Sequence, residues 1–306
     1  LCIRLGFLHV PHGSLDFHFK DLSRKQTMME NFPNPPVAAS TGRIESTFLR
    51  LKKQNKAALV SYITAGDPDL PRSFAIARAV ADAGADILEL GVPFSDPLAD
   101  GPTIQAAANR AIDAGATLPK LLDHLRDFRA SCGVPVVLFT YLNPVYVYGF
   151  EKFHSDAAAA GADGILILDL PPDEAQRNAE LSRSLGLRAI RLIAPTTPSA
   201  RVAQICSSAE GFIYYVSREG VTGEQQELSS SIPERVALIR EHTELPVCVG
   251  FGISTPEQAA AIAAQSDGAV VGSAIVRRIA EFGNDPDLPG RIAEFVRPLA
   301  EAVHGA

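Results

Sequence analysis

The sequence predicts an α/β protein built as a single-domain, closed (β/α)8 barrel with an extra N-terminal helix. Three observations carry this. From Ile44 onward one pattern recurs: a short β-branched run, a polar or Gly-rich loop, then an amphipathic helix. Eight strand–helix units of this kind fit in the 306-residue chain, the number that closes a barrel. The runs are almost continuously apolar, as parallel strands covered on both faces are. An open doubly wound sheet is the competing architecture, but the GxGxxG turn after the first strand is missing. The expected fold is therefore a TIM barrel.

Taken in order, the first 43 residues stand apart. They mix isolated aromatics, histidines and charges, and run into Asn31-Phe32-Pro33-Asn34-Pro35-Pro36 with no sustained period. This extension is expected to be disordered. Its apolar start is too short for a signal peptide. Because the only two methionines are Met28 and Met29, translation is expected to start at one of them. A genuine flexible extension is the alternative. Residues 44–306 are expected to form the barrel, opening with a helix over 44–54 that caps its bottom.

The eight predicted strands are 58–64, 86–91, 134–141, 164–169, 188–194, 211–217, 246–250 and 269–272. Helical periodicity lies between them over 72–83, 118–131, 175–185, 233–241 and 256–264, and a last helix over 288–303 is expected on the outside. Ala83-Gly84-Ala85-Asp86 and Ala160-Gly161-Ala162-Asp163 each read as a helix end turning into a strand through a left-handed glycine, with Asp267-Gly268-Ala269 a looser version.

Composition narrows the function. The apolar fraction of 46% and charged fraction of 21% are those of a globular protein. A net charge of −7 argues against a nucleic-acid partner. It leaves room for an anionic small substrate held by backbone N–H groups. No apolar run approaches the ~20 residues that span a bilayer, so no membrane partner is expected. Cys2, Cys132, Cys206 and Cys248 show no CxxC or zinc-ligand spacing, which points to reduced thiols in a cytosolic (cytoplasmic) compartment.

In a barrel of this type the chemistry sits at the C-terminal strand ends. No lysine lies there, so a Schiff-base mechanism lacks its nucleophile. No histidine lies there and no two have ligand spacing, so a zinc site lacks its ligands. Acid–base chemistry then falls to carboxylates, with a tyrosine as a further candidate. The stretch from Leu88 to Gln105 supplies them: Glu89 inside an apolar strand, Asp96 and Asp100 in the Pro- and Gly-rich loop behind it. Burial raises a strand carboxyl's pKa and lets it shuttle a proton near neutrality. A better-hydrated loop carboxylate stays ionised and stabilises positive charge.

Blander readings stand beside these. Glu89 could pair with an inward arginine, and Ser95-Asp96-Pro97 reads as a turn whose carboxylate bonds to backbone. Asp169, ahead of Pro171-Pro172, could order its loop. Tyr214, inside the sixth strand, reads equally well as a core residue. Gly-rich turns close the seventh strand, at Gly250-Phe251-Gly252, and the eighth, at Val271-Gly272-Ser273, and both enter helices. That pairing suits a phosphate, though ordinary βα turns share it. Gly220–Gly223 adds a third edge or a lid.

These motifs resemble the tryptophan synthase alpha family from about Ile44 to Val303. The matching segments are Thr64-Ala65-Gly66-Asp67-Pro68, Glu89 to Gln105, Ser217 to Gly223, Gly250 to Ser254 and Gly272 to Val276. The resemblance implies retro-aldol cleavage of indole-3-glycerol phosphate to indole and glyceraldehyde 3-phosphate. It implies Glu89 as general acid–base, Asp100 at the indole N–H, and Tyr214 beside the reacting centre. Gly223, Gly252, Gly272 and Ser273 would hold the phosphate, and Tyr62, Phe139, Leu166 and Phe251 would flank the indole. Tyr62 stands where phenylalanine is expected. No cofactor is implied in this chain. Pyridoxal phosphate is implied only in a beta-subunit partner of an alpha2-beta2 tetramer, with residues 93–101 and 217–230 as the partner-sensitive segments. A stand-alone indole producer, and a non-catalytic barrel that activates a beta-type partner, remain the alternatives.

Overall fold

A computed structural model describes residues 42–217, 232–250 and 252–306. The chain runs α1 (Arg43–Lys53), β1 (Ala58–Thr64), α2 (Leu70–Asp82), β2 (Ile87–Gly91), α3 (Pro102–Asp113), α4 (Leu118–Arg129) and β3 (Val136–Thr140). It continues through α5 (Leu142–Tyr148), α6 (Phe150–Ala159), β4 (Gly164–Ile167), α7 (Pro172–Ser184), β5 (Arg188–Ala189), β6 (Arg191–Ile193) and α8 (Ser199–Ser207). The last elements are β7 (Ile213–Val216), α9 (Ile232–Arg240), β8 (Val247–Gly250), α10 (Pro256–Ala263), β9 (Gly268–Val271), α11 (Ser273–Glu281) and α12 (Leu288–His304).

All strand pairs are parallel, in the order β5-β4-β3-β2-β1-β9-β8-β7-β6. The two ends of that order, β5 and β6, are consecutive in the chain and separated only by Ile190. They are the halves of the predicted fifth strand, one pairing with β4 and the other with β7. The barrel therefore closes through a strand that changes partner midway.

Strand parity sorts the side chains. Leu59, Ile63, Leu88, Leu90, Val136, Leu138, Val247 and Val249 face the helices. Ala58, Val60, Ile87, Val137, Leu166, Phe212, Cys248 and Val270 fill the interior. Ile44, Phe48 and Leu51 of α1, spaced as one helix face, join that interior cluster and cap it at the strand N-termini. The Arg43 guanidinium, at the start of α1, bonds Asp163 at 2.6 Å. Residues 1–41 of the expected N-terminal extension lie outside the described residues. α12 packs outside on α2 and α10, as expected.

The Ala-Gly-Ala-Asp turns do more than reverse the chain. Gly84 and Gly161 are left-handed, with φ of 113° and 91°. The aspartate after each then staples the preceding strand. Asp86 accepts the Leu59 N–H at 3.0 Å and Asp163 the Val136 N–H at 2.8 Å. Asp267 accepts the Val247 N–H at 2.9 Å. The third turn departs from expectation, because Gly268 is a strand residue and not a left-handed cap. A Cβ there would lie 2.8 Å from Cys248 Sγ, so close packing requires the glycine. The three described cysteines are buried and unpaired.

Candidate active site

Inward parity brings Tyr62, Glu89, Phe139 and Tyr214 to the strand C-termini, with Tyr62 opposite Glu89 in the β1–β2 register. Together with Asp100, Gly252, Gly272 and Ser273 they line a cleft of about 480 Å³, partly open to solvent. Ile104, from the first turn of α3, and Val270, from β9, complete the lining. Neither was named from the sequence; inward parity is the signal for Val270, and Ile104 follows from the helix that opens just after Asp100.

Glu89 is fully buried, and neither carboxylate oxygen has a hydrogen-bond partner among the described residues. Among the described residues no arginine pairs with it. Burial alone pushes its pKa up to about 8, so near neutrality it is mostly the protonated acid. Asp100, from the loop ahead of α3, is pushed up to about 6 by burial, against a hydrogen bond from Tyr141 that favours its ionised form. The two carboxyls thus differ in protonation at neutral pH, the arrangement that separates acid from fixed anion.

Tyr214 lies with its ring over Gly250: a Cβ there would meet its Oη at 2.8 Å and Cε2 at 2.9 Å. Burial and the neighbouring Glu89 raise its pKa well above the usual phenol range, so it remains a neutral hydroxyl. Tyr62 is neutral for the same first reason, burial. Its ring meets Phe139 edge-on with centroids 5.4 Å apart, giving the cleft an aromatic wall.

Gly252 has a left-handed φ of 79°, and Gly272, against the Tyr62 ring, caps α11 without a side-chain hydrogen bond. The first N–H groups of α11, starting at Ser273, therefore lack a helix-internal acceptor. Among the described residues that line the cleft there is no lysine, histidine or cysteine.

Other expected residues are placed elsewhere. Leu166 is fully buried within the barrel interior. In the β3–β4 register it lies opposite Phe139, and Leu168, two residues on along the same face, is partly exposed. Asp96 accepts from the Ser95 hydroxyl at 2.6 Å rather than from backbone, and it is exposed. Its own carbonyl makes the turn bond to Leu98 N–H. Asp169 accepts the Leu142 N–H at 2.6 Å and so orders the start of α5. Gly223 and Phe251 lie outside the described residues, as does 218–231.

Comparison with known proteins converges on one family. Residues 48–304 match the family model described as tryptophan synthase alpha chain. The chain is 51% identical over 261 residues to the tryptophan synthase alpha chain of Geobacter sulfurreducens, covering 85% of this chain and 98% of that one. The Geotalea uraniireducens protein of the same name is 48% identical over 261 residues, covering 85% and 97%. Among solved structures, Mycobacterium tuberculosis tryptophan synthase superposes with a TM-score of 0.80 at 37% identity, covering 87% of this chain and 99% of that one. The alpha subunit from Legionella pneumophila gives 0.77 at 37% identity, covering 86% and 99%.

Proposed function

The chain belongs to the tryptophan synthase alpha chain family, and from that membership we propose how its own residues divide the family's reaction. The protein is a lyase of tryptophan biosynthesis that cleaves indole-3-glycerol phosphate to indole and glyceraldehyde 3-phosphate. Indole is a poor carbanion leaving group, so ring carbon C3 must be protonated before the C–C bond breaks. Glu89, buried and protonated at neutral pH, gives that proton. Asp100 sits at the ring N–H and stabilises the cation that forms. Glu89, now a carboxylate, takes the glycerol hydroxyl proton as the bond electrons return to the ring. The proton balance closes, and Glu89 ends as it began.

Tyr62 and Phe139 wall the indole, and Tyr214 lies beside the reacting centre. The backbone of Gly252, Gly272 and Ser273 binds the phosphate, whose charge the α11 N-terminus favours. Gly223 and Phe251 keep the phosphate and indole roles that the family resemblance gives them.

The single observation that carries this reading is Glu89: a carboxyl buried with no partner among the described residues, opening on a cleft that holds a second carboxyl of different protonation. Such a group is costly unless used.

The partner is a beta subunit in an alpha2-beta2 assembly, pyridoxal phosphate belongs to that subunit alone, and the compartment is cytoplasmic. Leu98, Tyr146 and Val147 support the partner assignment: they are 90%, 76% and 77% exposed, on the loop before α3 and on α5, beside the strand C-termini. Among the described residues no helix is long and apolar enough to cross a membrane. The test is indole release from indole-3-glycerol phosphate, with and without a beta subunit, for wild type, Glu89→Gln and Asp100→Asn. Low activity alone, activation by the partner and near-complete loss in both variants are expected. Full activity of Glu89→Gln overturns the mechanism, and high activity of wild type without the partner favours a stand-alone indole producer.

A further inference from the structure

We propose that the Tyr62 hydroxyl is a specificity determinant: it fills the space that faces ring carbon C2 of the indole, so that substrates substituted at C2 are turned away. The proposal rests on the roles given to Glu89 and Asp100 above.

The hydroxyl has a defined place. Tyr62 stands level with Glu89 in the β1–β2 register, and Gly91, two residues further along β2, stands level with Thr64. Yet a Cβ on Gly91 would lie 2.0 Å from Tyr62 Oη. The ring therefore runs toward the cleft mouth and across from β1 to β2. Its near end lies at the end of β9, where a Cβ on Gly272 would meet Tyr62 Cβ at 3.3 Å and Cδ1 at 3.5 Å. On the far side of β2, Phe139 is the register partner of Gly91 and meets the Tyr62 ring edge-on, with centroids 5.4 Å apart. The two aromatics meet over Gly91. Residues two apart on a strand share a face, so the hydroxyl fills the inward position next above Glu89.

The reaction gives the ring its orientation. Both groups that address the pyrrole ring come from one unit, Glu89 from β2 and Asp100 from the loop behind it. Glu89 serves C3 and Asp100 serves N1. The edge N1–C2–C3 therefore faces the end of β2, the benzo ring points away, and C2 is the atom between. That end of β2 is where Tyr62 Oη stands. An unsubstituted C2 carries only a hydrogen, which fits against an oxygen. A methyl group there needs the volume that the hydroxyl holds. Tyr62 is buried and flanked by Phe139 and Gly272, and a packed wall gives way only at a cost.

The test is the reaction in reverse, condensation of an indole with glyceraldehyde 3-phosphate by the complex with a beta subunit. In that direction C3 adds to the aldehyde carbon, whose oxygen takes the Glu89 proton, and the C3 proton then returns to Glu89. The readout is kcat/KM for 2-methylindole divided by that for indole, taken within each protein. The intrinsic reactivity of each indole is common to the proteins compared and cancels. Tyr62→Phe keeps the ring and removes the oxygen, and it should raise this ratio about tenfold or more, the scale on which a pocket discriminates one methyl group. The same ratio for 5-methylindole, whose methyl lies on the benzo ring, should not change. An unchanged 2-methylindole ratio overturns the proposal, and so does a gain that falls on 5-methylindole instead. Glu89→Gln and Asp100→Asn are measured with indole alongside. If both lose activity while the ratio stays put in Tyr62→Phe, the hydroxyl does not select and the two carboxyl assignments stand. If either variant keeps wild-type activity, that assignment fails and takes the ring orientation, and the proposal, with it.

Discussion

Tyr62 occupies the space that a side chain at Gly91 would need. A Cβ on Gly91 would lie 2.0 Å from Tyr62 Oη and 2.6 Å from its Cζ. The two residues sit on neighbouring strands at the cleft mouth, so the missing side chain on β2 is what lets the β1 tyrosine lie across it. Gly91→Ala should displace the ring from Phe139, destabilise the protein by about 1–3 kcal/mol and raise KM. Adding Tyr62→Phe removes the closest atom and should restore part of both. Thermal unfolding and steady-state kinetics of the single and double variants check this, and a double variant no better than the single contradicts it.

The buried Glu89 makes stability depend on pH. Its folded pKa, about 8, lies above its ordinary 4.5, so the native state keeps a proton that the unfolded chain releases. Its contribution is greatest below about pH 4.5 and declines as pH rises toward 8. Glu89→Gln has no such proton. Urea unfolding should show the wild type losing stability relative to Glu89→Gln by about 1.4 kcal/mol per pH unit across that window. Parallel curves for the two proteins would mean that Glu89 is not desolvated as described.

Asp86 joins three elements. It accepts the Leu59 N–H at 3.0 Å, the Arg50 guanidinium at 2.9 Å and His304 Nε2 at 2.7 Å, linking β1, α1 and α12. Asp86→Ala leaves a buried N–H unpaired and should cost about 2–4 kcal/mol. Because these contacts lie at the N-terminal face, kcat of the folded variant should stay at the wild-type value. Chemical denaturation with parallel kinetics separates the two effects.

Val147 is exposed on α5 and touches neither carboxylate. Val147→Asp puts a charge into the apolar patch and should weaken beta-subunit binding about tenfold or more while unpartnered activity stays unchanged. Titrating the partner against indole release reads this, and an unchanged half-saturation point would place the interface elsewhere.

Much of this was legible in the sequence because parallel barrel strands are short apolar runs. The break at Ile190 was not, since a run that is apolar throughout gives no sign of changing partner. The short helices over 142–159 escaped for a related reason: Tyr141-Leu142-Asn143-Pro144 carries a proline and little period. Glu89 was legible because a carboxylate in an apolar strand violates burial. Parity along β1, β3 and β4 gave Tyr62, Phe139 and Leu166 as inward residues, but parity alone does not say how near the mouth each stands. Tyr141 was visible as a strand-end residue. The bond its hydroxyl accepts from the Ala99 N–H depends on how the loop from Phe94 to Asp100 folds back, and no spacing encodes that.

The most direct test is the pH dependence of kcat/KM for indole-3-glycerol phosphate cleavage by the partner-saturated enzyme, wild type against Glu89→Gln. The reaction needs Asp100 ionised and Glu89 protonated, so activity should rise through about pH 6 and fall through about pH 8. In Glu89→Gln the rate should drop about a hundredfold to ten-thousandfold, and the alkaline limb should vanish from what remains. A variant within tenfold of wild type, with the same alkaline limb, would contradict the assignment of proton transfer to Glu89.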